Sequence, residues 1–134
     1  MRANTVEDYL LAIYRIFESQ GFEGSIKSVD IAKSLKISKP SVSAILRKLS
    51  TKGFIKIKKY SPIQLTEKGI REGKRVTHNH RLIEYFLKES LKIDVKKIHE
   101  EAHALEHSFS QNTIKKLDNF LGNPKISPTG KRIH

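Results

Sequence analysis

Residues 28–49, SVDIAKSLKISKPSVSAILRKL, determine the fold class of this chain. Apolar residues recur at helical spacing in two short segments, and Lys36-Ile37-Ser38 forms a tight connection between them. Ser28 can cap the first helix and Ser38 the second, because a serine hydroxyl accepts a hydrogen bond from a free backbone N–H. Two short helices joined by such a turn are typical of a helix-turn-helix unit.

The second segment predicts a helix whose two faces differ. Pro40 suits its first turn, where a missing N–H costs little. Its apolar stripe consists of Val42, Ile45, Leu46 and Leu49. Its opposite face carries Lys39, Ser41, Ser43, Arg47 and Lys48. Basic and hydroxyl side chains on such a face can reach the phosphates and base edges of a DNA major groove.

A two-stranded wing is predicted after this helix. Gly53 stops the helix, and residues 55–58 alternate apolar with basic side chains. The chain then turns at Ser61-Pro62, and Ile63-Gln64-Leu65 forms the returning strand. The wing would carry three lysines toward DNA phosphates, namely Lys56, Lys58 and Lys59.

The charge of the chain supports a polyanionic partner. The 134 residues include 26 Lys and Arg against 14 Asp and Glu, a formal net charge of +12. Residues 1–75 hold 16 of the basic residues and only 7 acidic ones. A solvated basic surface is the alternative explanation. The residues predicted to contact DNA are Lys27, Ser28, Ser38, Lys39, Pro40, Ser41, Ser43, Arg47, Lys48, Lys58 and Lys59.

Composition also limits the location of the protein and its chemistry. No apolar run approaches the roughly 18 residues that a membrane helix requires, and the N-terminus has no secretory pattern. We therefore expect a cytoplasmic protein whose partners include neither a membrane nor a small organic substrate. Cysteine is absent, so a bound transition metal would depend on imidazole and carboxylate ligands.

Helices are predicted on both sides of the DNA-binding motif. Thr5 can cap a first helix that runs to about Ser19. Thr66 can cap a long helix that extends to about Leu91, and Asp94 can start another. The long helix has an apolar surface that could serve a dimer. We predict a mainly α fold with a small β-wing: a winged helix-turn-helix domain at 1–75 and a helical metal-binding and dimerisation domain at 76–134.

Five of the six histidines lie between residues 78 and 107. His80 and Glu84 are four residues apart and share a helical face, as do His99 and His103. Glu106 and His107 follow one turn later. Imidazole and carboxylate together suit Fe(II), Mn(II), Zn(II) or similar ions. Surface histidines paired with Glu100, Glu101 and Glu106 would give the same spacing without a metal.

Residues 99–103, His-Glu-Glu-Ala-His, also satisfy the H-E-x-x-H pattern of zinc peptidases. In such an enzyme Glu100 would be the general base. Catalysis would further require a third ligand, an open coordination position and a substrate cleft. A chain of this size, half occupied by a winged helix, could scarcely build them, so we predict that the protein is not an enzyme.

These motifs together resemble the diphtheria-toxin-repressor family of metal-dependent regulators, over nearly the whole chain. The resemblance covers Glu7-Asp8-Tyr9-Leu10, Asp30-Ile31-Ala32, Pro40-Ser41-Val42-Ser43, Leu65-Thr66-Glu67-Lys68-Gly69, His80-Arg81-Leu82-Ile83-Glu84, His99 to His103, Glu106-His107 and Leu121-Gly122-Asn123-Pro124. It implies a homodimeric repressor of metal-uptake genes that binds palindromic operator DNA when metal is plentiful.

The resemblance also implies two metal sites. One would use His80, Glu84 and His99, and the other Asp8, His103, Glu106 and His107. Because Asp8 belongs to the first helix, the second ion would fix the angle between the domains and hence the separation of the two recognition helices.

Two departures from the family affect the choice of metal. Position 103 is often a cysteine or a carboxylate in the family, and Leu11 occupies a place where manganese-type members have a second acid. The first ligand set resembles the iron-responsive branch, although we expect the additional barrel domain of that branch to be lacking. The sequence slightly favours Fe(II) over Mn(II), with zinc, cobalt or nickel as ions that could bind in vitro. A metal-independent architectural DNA-binding protein is the alternative.

Overall fold

The computed structural model describes residues 6–58 and 62–133. Within them the chain forms six helices and one small sheet, which confirms the mainly α fold with a β-wing. The elements are α1 (Val6–Ser19), α2 (Ser28–Leu35), α3 (Lys39–Thr51), β1 (Ile55–Lys56), β2 (Gln64–Leu65), α4 (Glu67–Glu89), α5 (Val95–Glu106) and α6 (Gln111–Phe120). The predicted cap at Thr5, the turn residue Ser61 and the DNA-contacting Lys59 lie outside the described residues.

The chain divides into two compact units, Met1–Val76 and Thr77–His134, and the division falls within α4. The first unit has its own apolar core, in which α1, α2, α3 and the wing meet. The predicted stripe of α3 faces this core, with Val42, Leu46 and Leu49 buried. Each such buried side chain contributes roughly 1.5–3 kcal/mol relative to exposure. The Ser38 side chain accepts a hydrogen bond from the Ser41 N–H at 3.3 Å, so the predicted cap of α3 is confirmed.

The predicted cap of α2 is wrong. Ser28 is the first residue of the helix, and the capping position belongs to Lys27, which makes no side-chain capping hydrogen bond. The reason lies one residue earlier, because Ile26 pairs with Ile63 in an isolated antiparallel bridge. That bridge holds the chain extended up to Lys27, and the helix begins directly after it. Lys36 then ends α2 in the left-handed conformation and forms the tight connection to α3.

The wing is shorter than the alternating pattern predicts. Its antiparallel register pairs Ile55 with Leu65 and Lys56 with Gln64. Ile57 lies beyond β1 and is exposed, and the N–H and carbonyl of Ile63 bond to Ile26 on the opposite edge of the returning strand. The wing itself has only two residue pairs, and the bridge to Ile26 adds a third point of backbone pairing to the returning strand.

Thr66 joins the wing to α4. Its hydroxyl donates to the Gly53 carbonyl at 2.6 Å and accepts from the Gly69 N–H at 3.0 Å, which confirms the predicted cap. The first turns of α4 then pack closely on the winged-helix core. A Cβ at Gly69 would lie 2.0 Å from the Phe54 carbonyl oxygen, and one at Gly73 would lie 2.8 Å from the Tyr14 ring. Only a glycine permits either approach.

The second unit packs the rest of α4 with α5 and α6 around its own buried cluster: Leu82, Ile83, Leu87, Ala102, Ile114 and Ile133. Asp94 caps α5 as predicted, by accepting from the Lys96 N–H at 3.0 Å. The helix α4 ends at Glu89, two residues before the predicted end. Arg81 is buried and donates to the Arg132 carbonyl at 2.9 Å, and Ile133 is buried in the same unit. Among the described helices, none has both the length and the apolar character needed to cross a membrane.

We expect Gly73→Ala to lower the free energy of unfolding by about 1–3 kcal/mol, because the added methyl group overlaps the Tyr14 ring. Helix propensity alone predicts the opposite sign, a gain of about 1 kcal/mol. Urea unfolding of the purified chain measures the difference. The exposed neighbour Lys74 provides the control, since Lys74→Ala should change stability by less than about 0.5 kcal/mol. A Gly73→Ala protein more stable than the wild type would contradict the packing described here.

Candidate metal centres

The first candidate centre begins on the buried face of α4. His80 and Glu84 lie one helical turn apart and are 0% and 4% exposed. The His80 Nε2 atom is 3.6 Å from the Glu84 Oε1 atom, as the spacing predicts. A carboxylate is rarely buried so deeply unless a cation or several hydrogen bonds compensate for the lost water.

His99 on α5 completes this centre. Its Nδ1 atom lies 3.3 Å from His80 Nε2 and 4.0 Å from Glu84 Oε2. The three side chains, here called the first donor group, offer ligand atoms that all lie within 4.8 Å of one another. Ligands about 2.1 Å from one ion lie about 3–4 Å apart, so modest side-chain adjustment fits a divalent ion. The His99 side chain is 57% exposed, which gives an ion a path from solvent.

The second donor group consists of His103, Glu106 and His107, at the C-terminal end of α5. Their ligand atoms also lie within 4.8 Å of one another. The Glu106 Oε1 atom is 3.5 Å from His107 Nε2, and the His103 and His107 ring centroids are 5.5 Å apart. Three residues within one helical turn supply these ligands, so the fit to a divalent ion follows from local geometry.

Asp8, the remaining predicted metal ligand, lies in the first turn of α1, in the winged-helix unit. It is 5% exposed, which is unusual for a carboxylate in a first helical turn. Its role as a ligand that joins the second donor group stays a prediction.

The two histidines of the H-E-x-x-H pattern belong to different donor groups. His99 is grouped with side chains of α4, whereas His103 is grouped with the end of its own helix. A zinc peptidase requires both histidines on one ion, and this grouping does not favour that interpretation. Glu100, which would be the general base, is exposed on α5.

One contact has no counterpart in the sequence analysis. Glu106, assigned to the second donor group, forms a hydrogen bond with His80 of the first group, with 2.5 Å between Oε2 and Nδ1. The two residues are separated by 26 positions, so no helical spacing rule connects them. Only the packing of α5 on α4 brings them together.

The predicted DNA contacts are exposed where the structure describes them. Lys39, Ser41, Ser43, Arg47 and Lys48 lie on the exposed side of α3, opposite its buried stripe. Lys27, Ser28, Ser38, Pro40 and Lys58 are exposed as well. Ser38 also serves as the helix cap, so its side chain has a structural role whether or not it contacts DNA. Contact with DNA stays a prediction for each of these residues.

A winged helix-turn-helix unit followed by a helical unit with two imidazole and carboxylate donor groups defines a metal-responsive DNA-binding regulator. Comparison with known families agrees with this class. Residues 1–63 match the model described as "Iron dependent repressor, N-terminal DNA binding domain", and residues 66–134 match "Iron dependent repressor, metal binding and dimerisation domain". The chain belongs to the iron-dependent repressor family, which confirms the resemblance to the diphtheria-toxin-repressor regulators.

Three relatives show how far the similarity extends. The chain is 36% identical over 119 residues to an uncharacterised HTH-type transcriptional regulator, MJ0568, of Methanocaldococcus jannaschii. The matched region covers 89% of this chain and 94% of that protein. It is 31% identical over 121 residues to the HTH-type transcriptional regulator MntR of Bacillus subtilis, covering 90% and 82% of the two chains. The solved structure of the manganese regulator SloR superposes with a TM-score of 0.82 at 37% identity, over 98% of this chain.

The chain spans 60% of the length of the SloR structure. The comparisons establish divalent-metal binding as a property of the family. They do not support the slight preference for Fe(II) over Mn(II), because SloR is described as a manganese regulator. The preference rested on the resemblance of His80, Glu84 and His99 to the iron-responsive branch and on Leu11 at the place of a second acid.

We expect Glu84→Gln to lower the affinity of the first donor group for Co(II) by at least about 10-fold, since even outer-shell changes at metal sites cost this much. Titration calorimetry would measure the affinity, and the visible absorption of bound Co(II) would report the coordination. Glu100→Gln is the matched control, because Glu100 is exposed on α5 outside both donor groups. Equal losses in the two variants would contradict the assignment of Glu84.

Proposed function

We propose that this protein is a metal-dependent transcriptional repressor that binds palindromic operator DNA as a homodimer in the cytoplasm and controls genes of iron or manganese homeostasis. It is not an enzyme under this proposal. The observation that carries the proposal is the combination of an exposed basic recognition helix, α3, with two donor groups in the helical unit of the same chain. Membership of the iron-dependent repressor family supports it.

His80, Glu84 and His99 would hold one divalent ion, and His103, Glu106 and His107 with Asp8 another. When bound, an ion supplies positive charge and a fixed set of ligand directions to these side chains. Mn(II) and Fe(II) are both proposed as physiological effectors, because the cellular supply of ions, more than raw affinity, decides which ion such ligands receive. Zinc, cobalt and nickel ions should bind in vitro at least as tightly, since nitrogen-containing sites favour them.

The switch depends on Asp8. It lies in α1, whereas the second donor group lies in α5. By sharing an ion with that group, Asp8 would hold the winged-helix unit at a fixed angle to the helical unit. In a dimer this angle sets the separation of the two α3 helices, which must match half-sites about 34–36 Å apart on DNA. Metal occupancy would then change DNA affinity through geometry.

The α3 helix would enter the major groove, with Arg47 and Lys48 near the DNA backbone or base edges, while Lys58 and Lys59 of the wing contact phosphates. Positive charge attracts DNA whether or not metal is present, so attraction alone cannot identify a metal switch. A metal-independent architectural protein would use the same basic surface. Operator affinity measured with and without metal distinguishes the two functions.

We expect Mn(II) or Fe(II) to tighten operator binding by about 5–150-fold relative to chelator, the usual range of coupling between two sites. The DNA would be a duplex selected from a random-sequence library by the metal-loaded protein. Fluorescence anisotropy at constant salt measures the affinity. Equal binding in metal and in chelator would instead support the architectural protein.

We expect Arg47→Ala and Asp8→Asn to have different effects on the same duplex. Arg47→Ala should weaken DNA binding by about 1–3 kcal/mol both with and without metal, because it removes a contact to DNA. Asp8→Asn should leave the metal-free affinity unchanged and abolish the gain with metal. Circular dichroism checks that both variants fold. Loss of metal-free binding in Asp8→Asn would contradict its separate role.

A further inference from the structure

Glu106 lies between the two donor groups, and its two carboxylate oxygens face different groups. Oε2 lies 2.5 Å from His80 Nδ1, while Oε1 lies 3.5 Å from His107 Nε2. The Glu106 side chain is only 8% exposed, so water has little access to this carboxylate. Among the contacts described, this residue is the link between the first and second donor groups.

The contact determines which nitrogen of His80 would bind metal. A neutral imidazole carries one proton, and the other nitrogen offers its lone pair. His80 Nε2 faces His99 and Glu84, so this atom is the ligand of the first donor group. The proton then resides on Nδ1 and is donated to Glu106. A carboxylate in this position fixes the tautomer and the ring orientation of a metal-binding histidine and makes it a stronger ligand.

We propose that Glu106 is a positioning residue for the first donor group as well as a ligand of the second, and that it couples the two metal sites. The inference rests on the proposed function, because it requires both groups to bind ions. Filling the first group fixes the His80 ring, and this ring in turn holds Glu106 Oε2. Glu106 then loses less side-chain freedom when the second group fills. By linkage, each occupied group raises the affinity of the other by the same factor.

The test compares metal binding in wild-type protein and three variants: Glu106→Ala, Glu106→Gln and His107→Ala. Titration calorimetry with Co(II) and with Mn(II) gives the affinity of each site, and Co(II) absorption identifies the coordination. His107→Ala sets the baseline, because it removes a ligand of the second group and leaves the His80 contact intact. Both Glu106 variants remove the same second-group ligand, so any additional loss at the first group reports the hydrogen bond.

We expect Glu106→Ala to weaken ion binding at the first donor group by about 10–100-fold relative to His107→Ala. Glu106→Gln should restore the first-group affinity to near the baseline, because the amide oxygen still accepts from Nδ1. The Nδ1 proton of His80, observed by NMR of nitrogen-15-labelled protein, should be protected from exchange in Glu106→Gln and not in Glu106→Ala. A merely structural role for Glu106 would not produce this pattern.

If Glu106→Ala failed to fold, Glu106→Met would fill the same space without a strong acceptor and carries the same expectation. Equal first-group affinities in His107→Ala and in Glu106→Ala or Glu106→Met would overturn this inference and leave the proposed function standing. Wild-type protein in which ion binding at one group weakens binding at the other would also overturn it. Wild-type protein that binds no ion would overturn the proposed function and this inference together.

Discussion

The metal-binding unit depends on placing two carboxylates beside one fully buried imidazole. Glu84 and Glu106 approach opposite sides of His80, and all three side chains are at least nine-tenths removed from solvent. Burying a charge costs several kcal/mol unless a partner of opposite charge or good hydrogen bonds offset the lost hydration. Under the proposed function, a divalent ion held by His80 and Glu84 would provide such an offset. The same three residues also connect α4 to α5, so the ion-binding geometry and the packing of these helices stabilise each other.

Local spacing was sufficient to predict one pair of the metal centre, His80 and Glu84, and several features of the fold. These features are the caps at Ser38, Thr66 and Asp94 and the buried stripe of α3. Each depends on residues within one or two helical turns. Helical geometry fixes such neighbours whatever the rest of the chain does. Family resemblance supplied the grouping of His99 with α4, which spacing alone left open.

The predictions that failed or were missing involve distant parts of the chain. The hydrogen bond between His80 and Glu106 requires α5 to pack on α4 in one particular register. The start of α2 depends on the bridge between Ile26 and Ile63, two residues that are 37 positions apart in the sequence. Such contacts arise from tertiary packing, which overrides local preference and carries no periodic signature in the sequence.

Charge explains why geometry must carry the proposed switch. The chain holds a formal charge of +12 without any metal, and most of its excess lies in residues 1–75. Adding two divalent ions to the helical unit changes the attraction to phosphates modestly, and salt screens charges beyond about 8–10 Å. Metal-free protein should therefore still bind DNA, with little preference for sequence. Ions that fix the spacing of two recognition helices would change the affinity for specific sites alone. Only a palindromic site has two half-sites that both helices can contact when their separation is correct. Under the proposed function, the ratio of specific to non-specific affinity responds to metal more strongly than total DNA affinity does.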